Sequence, residues 1–394
     1  MTAPRPSTAP RPSRRAEEIA PFHVMELMAR ANALEAAGRD IVHMEVGEPD
    51  FPTPAPVVDA ARDFLAGGHV HYTSALGLPQ LREAIAGFYQ EHYGIALPAS
   101  RVVVTSGGSG ALLLALGALV DPGDEWLVTD PGYPCNRHFI RSFEGQATSI
   151  VVGPESRFQP TPEQVAAHWG ERTRGALFGS PANPTGTVLR GDELAGLTRA
   201  VESRGGTLIL DEIYHGLTYG VAEESVLAYS DQAFVVQSFS KYFNMTGWRL
   251  GWLVVPDAFV RPVEKLAQNL FISPSTPAQH AALAAFLPET RAILEERRGE
   301  FARRRDFLLG ELQRLGFTVP AQPEGAFYIY ADISAFSDDS FAFAGRLLDE
   351  AGVAATPGID FGNAAPRRYM RFAYTTSQER LAEGMARLER MLGR

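Results

Sequence analysis

The chain has 394 residues, 45% apolar and 21% charged, with 36 basic against 46 acidic side chains and a net charge of −10. That length supports two or three domains with buried cores, and the composition excludes global disorder. The acidic balance argues against a surface built to coat nucleic acid.

The first 15 residues hold four prolines, four arginines and no acid. Such a stretch cannot bury apolar area, so residues 1–18 are expected to be a disordered tail. No run approaches the roughly 18 apolar residues that a membrane helix needs. Residues 19–49 are expected to pack with the C-terminal part of the chain.

From Val102 onward, short apolar runs alternate with helical patterns: Val102–Thr105, Trp126–Thr129, Ala176–Phe178, Thr207–Leu210, Phe234–Gln237 and Leu250–Val255. Continuous apolar runs fit strands covered on both faces. Helical segments at Gly110–Leu119 and Gly191–Arg204 separate them. The order predicts α/β architecture, with a large domain at 50–285 around a mostly parallel, doubly wound sheet. After about Thr276 the texture changes. A long amphipathic stretch from Ala278 to Leu315 precedes short runs at Phe317–Val319, Gly325–Tyr330 and Tyr369–Tyr374, with a helix near Ser340–Ala351. Residues 19–49 and 286–394 are therefore expected to form a smaller α+β domain.

Polar residues cluster at the carboxyl ends of the expected strands, where ligands bind in open parallel sheets. Trp126–Thr129 runs into Asp130-Pro131-Gly132-Tyr133. Ala176–Phe178 runs into Ser180-Pro181-Ala182-Asn183-Pro184-Thr185-Gly186. Thr207–Leu210 ends in Asp211-Glu212-Ile213-Tyr214, and Phe234–Gln237 ends in Ser238-Phe239-Ser240-Lys241. Taken singly, such residues cap helices and turns. Val102–Thr105 leads into Ser106-Gly107-Gly108-Ser109-Gly110 and a helix, an anion site if the helix N-terminus is open, or simply a tight turn. Lys241 and Arg249 are flanked by Trp, Phe and Met, where unpaired cations are costly. A phosphate monoester would satisfy Arg249, Ser238 and the helix N-terminus, an aldehyde on the same ligand could bond to Lys241, and Asp211 could hold a ring nitrogen protonated. Those demands describe pyridoxal 5′-phosphate.

The stretch Ser238–Trp252, with Asn183-Pro184-Thr185-Gly186 and Asp211-Glu212-Ile213-Tyr214, resembles the class I/II aminotransferases of the fold-type-I pyridoxal-phosphate family. The spacings agree: 28 residues from Asn183 to Asp211, 30 to Lys241 and 8 more to Arg249. The likeness runs from Val46-Gly47-Glu48-Pro49-Asp50-Phe51 to Arg371-Phe372-Ala373-Tyr374. It implies that Lys241 bonds covalently to the cofactor, that Asp211 pairs with the ring nitrogen, and that Asn183 and Tyr214 bond the ring oxygen. Tyr133 would stack on the ring, while Gly108, Ser109, Ser238 and Arg249 would hold the phosphate. Tyr72 would reach the phosphate of a neighbouring subunit, which implies a homodimer. Arg371 would clamp the substrate carboxylate, with Gly47 and Asn183 beside it.

The implied activity is amino transfer between an L-amino acid and a 2-oxo acid by a ping-pong mechanism, in the cytoplasm, where the single cysteine (Cys135) is at home. A carbon–sulfur β-lyase on the same cofactor is the alternative. A serine hydrolase built on Ser109, Asp211 and His280 would leave Lys241, Arg249 and Asn183 unexplained. No metal, nucleic-acid or membrane partner is expected; His69 and His71 lack further ligands at suitable spacing. Substrate-side residues are expected from loops near 20–28, 47–52, the 270s and 358–363.

Overall fold

The computed structural model describes residues 11–21 and 23–394. Eleven strands in this part form two sheets. They are β1 (Val42–Met44), β2 (Val102–Thr105), β3 (Glu125–Asp130), β4 (Gln146–Val151), β5 (Thr173–Gly179), β6 (Thr207–Asp211), β7 (Phe234–Ser238), β8 (Gly251–Val254), β9 (Tyr328–Asp332), β10 (Val353–Pro357) and β11 (Tyr369–Ala373).

The larger sheet has the order β2-β8-β7-β6-β5-β3-β4. Neighbours from β7 to β4 pair in parallel, and only β8 runs against its two partners. This is the mostly parallel α/β sheet that the apolar runs predict. Its central strands are buried on both faces: every residue of β7 and β8 is buried, and Trp126 and Trp252 are wholly enclosed. Each such side chain contributes about 2–3 kcal/mol of burial free energy. β4 carries no apolar run, since most of its side chains remain partly exposed at the sheet edge, so periodicity could not reveal it.

The smaller sheet has the order β1-β10-β11-β9. β1 comes from the N-terminal segment and pairs in parallel with β10, so residues near 42 close a sheet otherwise made from 328–373. Helices Pro288–Arg314 and Gln378–Leu392 pack beside it.

Several elements differ from expectation. Residues 1–10 of the expected tail lie outside the described residues. Of the remainder, Arg14–Glu18 form a short helix capped by Ser13 and fastened by Arg141–Glu18 and Arg15–Ser142 contacts, so this part is ordered by distant partners rather than by its own apolar area. The single stretch Ala278–Leu315 is two helices, Thr276–Leu283 and Pro288–Arg314, because Pro288 lacks the N–H needed to continue a helix but suits a first turn. The helix expected at Gly110 begins at Gly107, whose φ of +70° turns the chain out of β2. Phe317–Val319 supplies only one bridge, Thr318 to Asp332. No helix among the described residues is long and apolar enough to cross a membrane.

Candidate active site

A cavity of about 280 Å³ opens where the carboxyl ends of β3, β5, β6 and β7 face the smaller sheet. It is lined by Gly47, Gly108, Ser109, Tyr133, Asn183, Asp211, Tyr214, Ser238, Lys241, Arg249 and Arg371, eleven of the twelve residues singled out from sequence. Tyr72 is the twelfth. It is 80% exposed, on a loop held by Thr276 Oγ1 donating to the carbonyl of His71, and it does not touch the cavity.

Asp211 is the last residue of β6, and its carboxylate accepts from the backbone N–H of Ile213 at 3.2 Å. Burial pushes this carboxyl up to about 7, against the opposing pull of that hydrogen bond and of Lys241. A buried carboxylate in this state gains most from a cationic partner. Lys241 sits just beyond β7, past the turn at Ser238–Ser240. Its Nζ donates to the carbonyl of Gly47 at 2.6 Å. Burial, then the charge of Arg371, bring its amine down to about 8. Only one other lysine exists in the chain, Lys265, exposed on the helix Asp257–Leu270.

At one end of the cavity the helix Gly107–Leu119 presents its N-terminus with no side-chain cap. Its first N–H groups and the dipole favour an anion. A Cβ at position 107 would sit 2.8 Å from Arg249 Nη2, so glycine lets the guanidinium close over the turn. Arg249 Nη1 bonds the carbonyl of Thr246 at 3.0 Å, and no carboxylate pairs with Arg249 among the described residues. Ser238 Oγ and Ser240 Oγ lie 2.9 Å apart at the same end. This uncompensated cation, two hydroxyls and an open helix end form a cradle with the chemistry of a phosphate site.

At the other end Arg371, 3% exposed, projects from β11. Nη1 donates to Asn183 Oδ1 at 2.9 Å and Nη2 to the carbonyl of Glu45 at 2.6 Å and to Thr356 Oγ1 at 3.2 Å. The guanidinium lies 4.2 Å over the Tyr328 ring, and Nε is buried without a partner among the described residues. Tyr214 Oη and Tyr328 Oη are 2.9 Å apart. A Cβ on residue 47 would meet Tyr328 Oη at 2.2 Å, which is why glycine stands there. Tyr133 lies in the wall, and burial pushes its phenol well above the ordinary range.

The sequence did not single out Tyr328 or Asn136, whereas the substrate-side stretch 20–28 does supply Val24, Met25 and Met28 to the cavity. Residues 23–28 are helical rather than loop. Their N-terminus is capped by Asp360, which accepts from His23 N and Val24 N at 2.9 and 2.8 Å. A cap of this kind is worth about 1 kcal/mol, and one supplied from 336 residues away leaves no local signature. The 270s contribute nothing to the cavity, whereas Phe361 packs 5.0 Å from the Arg371 guanidinium. His280, needed for the hydrolase alternative, stacks on Phe64 and is not among the cavity residues.

The fold and this site together define a transferase of the fold-type-I class, and comparison with known proteins agrees. The family described as aminotransferase class I and II matches residues 39–388, and the chain belongs to that family. It is 41% identical to a valine–pyruvate aminotransferase of Mycobacterium tuberculosis, covering 94% of this chain and 96% of that protein. It is 36% identical to an aspartate/prephenate aminotransferase of Thermus thermophilus, covering 97% and 99%. Among solved structures, an aminotransferase from Mycobacterium tuberculosis superimposes with a TM-score of 0.95 at 40% identity, covering 98% of this chain and all of that one. The aspartate aminotransferase from Thermus thermophilus with maleate gives 0.92 at 36% identity, covering 97% and 100%. The protein is an aminotransferase.

Proposed function

We propose that this aminotransferase uses pyridoxal 5′-phosphate, moves the amino group between an L-amino acid and a 2-oxo acid in two alternating half-reactions, and works as a cytoplasmic homodimer. The observation that carries the reading is the arrangement of Asp211, Lys241 and the Arg249 cradle around one cavity, with Arg371 facing them. In this reading the cradle of Gly108, Ser109, Ser238 and Arg249 holds the phosphate, Tyr133 covers a ring face, and Asn183 and Tyr214 meet the ring oxygen. Pyridoxal phosphate, when bound, supplies a protonated ring that accepts the electron pair left as the substrate α-hydrogen departs.

The chain's own residues do the rest. Asp211, desolvated and short of a cation, keeps a proton on the ring nitrogen. Arg371, fixed by Asn183 and the Glu45 carbonyl, takes the substrate carboxylate as a planar fork and fixes where the α-carbon lies. Lys241 holds the cofactor at rest. Its amine, when free, would be a base of the right strength to take and return the α-proton. Tyr328 packs against Gly47, whose carbonyl accepts from the Lys241 amine and holds it in place.

The two sheets support a division into a large domain at 50–285 and a small one made of 19–49 and 286–394. The exposure of Tyr72 supports its role at a neighbouring subunit's phosphate, and the single cysteine supports the cytoplasm. Initial rates against both substrates should give parallel double-reciprocal lines, and turnover should require a 2-oxo acid. Intersecting lines, or ammonia released without an acceptor, would favour elimination instead.

A further inference from the structure

The pairing of β1 with β10 sets Met44 opposite Ala355, so Glu45 falls beside Thr356, and Thr356 Oγ1 donates to the Glu45 carbonyl at 3.2 Å. Thr356 stands opposite Arg371 in the next pair. Side chains of residues opposite one another share a face, so Glu45, Thr356 and Arg371 form one row across the sheet, about 5 Å per strand. That face carries the helix His23–Ala36, whose Val24, Met25 and Met28 line the cavity beside Glu45.

The Glu45 carboxylate is fully buried. Oε1 bonds His43 Nδ1 at 2.7 Å, and Oε2 has no partner among the described residues. His43 Nε2 meets Glu35 at 3.3 Å. The hydrogen bond to Glu45, first among the causes, lifts His43 to about 9, and this one imidazole is shared between the Glu45 and Glu35 carboxyl groups. Among the described residues the cations lining the cavity are Lys241, Arg249 and Arg371. Arg371 is committed to the α-carboxylate and the other two face the cofactor.

We propose that Glu45 is a specificity-determining residue that excludes a second carboxylate from the substrate, so that both half-reactions run on monocarboxylic amino and 2-oxo acids. This rests on the transaminase reading above. A side-chain carboxylate would meet apolar groups and the unpartnered Oε2 of the buried Glu45 carboxyl, with no uncommitted cation among the described residues that line the cavity. Low-dielectric surroundings leave the repulsion between the two carboxyl groups poorly screened.

The test uses the cofactor-loaded enzyme, with alanine and valine set against glutamate and aspartate, and pyruvate against 2-oxoglutarate. Wild type should favour the monocarboxylates, and Glu45→Gln should raise the glutamate-to-alanine ratio of kcat/KM about tenfold. Calorimetry with non-reacting succinate and butyrate should show the same relative gain for succinate, independent of turnover. Should the Gln variant not fold, Glu45→Ala is expected to give the same shift. Turnover with ratios unchanged to within about twofold would overturn the role of Glu45 alone, since a removed like charge must alter them by more. Turnover of no amino acid with any acceptor would overturn the transaminase reading itself.

Discussion

Arg371 and Asn183, 188 residues apart, are joined at 2.9 Å between Nη1 and Oδ1, so the middle of β11 in one sheet is tied to the turn after β5 in the other. One arm of the guanidinium is spent on this tie and the other on the Glu45 carbonyl and Thr356, while Nε is unpartnered among the described residues. The fork is therefore oriented before substrate arrives, and the ordering entropy is met by folding rather than by binding.

Arg371→Lys keeps the charge and loses the planar geometry. The kcat/KM for α-amino acids should fall about 100-fold, because a bidentate charged pair is worth roughly 2–3 kcal/mol more than a single contact. The half-reaction with a simple amine lacking a carboxylate should change little. Steady-state kinetics on the two amine classes separates these, and an equal loss on both would place Arg371 elsewhere in the reaction.

The pH dependence of cofactor capture follows from Lys241. Burial brings its amine from 10.5 down to about 8 in the open site, so the neutral form is populated as pH rises through that value. Capture of pyridoxal phosphate by the apoprotein should speed up about tenfold per pH unit below 8 and level off above it. Between pH 8 and 10.5 the unfolded chain holds more protons at this group, so its contribution to apoprotein stability rises with pH there. Stopped-flow absorbance would measure the first, and a capture rate independent of pH from 6 to 9 would contradict it.

Gly107→Ala adds a methyl group 2.8 Å from Arg249 Nη2 at a φ of +70°. The guanidinium must move or the turn must change, at a cost of about 1–3 kcal/mol. The Kd for pyridoxal phosphate should rise about 10- to 100-fold, while the substrate KM at saturating cofactor stays near that of wild type. Fluorescence titration of the apoprotein checks it.

Tyr328→Phe removes the partner of the Tyr214 hydroxyl without opening space. A buried hydroxyl that loses one hydrogen bond costs about 1 kcal/mol, so stability should fall by about that much and kcat by less than tenfold. Thermal melts beside turnover numbers would show whether the two hydroxyls act as a pair.

The large sheet was legible because its strands are continuous apolar runs ending in polar residues, as Thr207–Leu210 does at Asp211. Residues that act from a strand end or an adjoining turn, such as Asn183 and Lys241, could be placed from that pattern. Tyr328 could not, because its part depends on the pairing of β9 with β11 and on contact with Gly47. The helix over the cavity was hidden for a similar reason: the cap at its start is Asp360, supplied by the far end of the chain. Edge strand β4, with little buried apolar area, had no period to read. What the sequence concealed are contacts between residues far apart in the chain and an edge strand with little buried apolar area, and these have no local pattern.

The proposed chemistry turns on a covalent bond between Lys241 and the cofactor aldehyde. With only two lysines in the chain, borohydride reduction of the pyridoxal-phosphate-loaded protein followed by peptide mass spectrometry reads it directly. A reduced pyridoxyl group is expected on the peptide containing Lys241 and none on the one containing Lys265, with Lys241→Ala abolishing it. An unmodified Lys241 peptide after loading and reduction would contradict it.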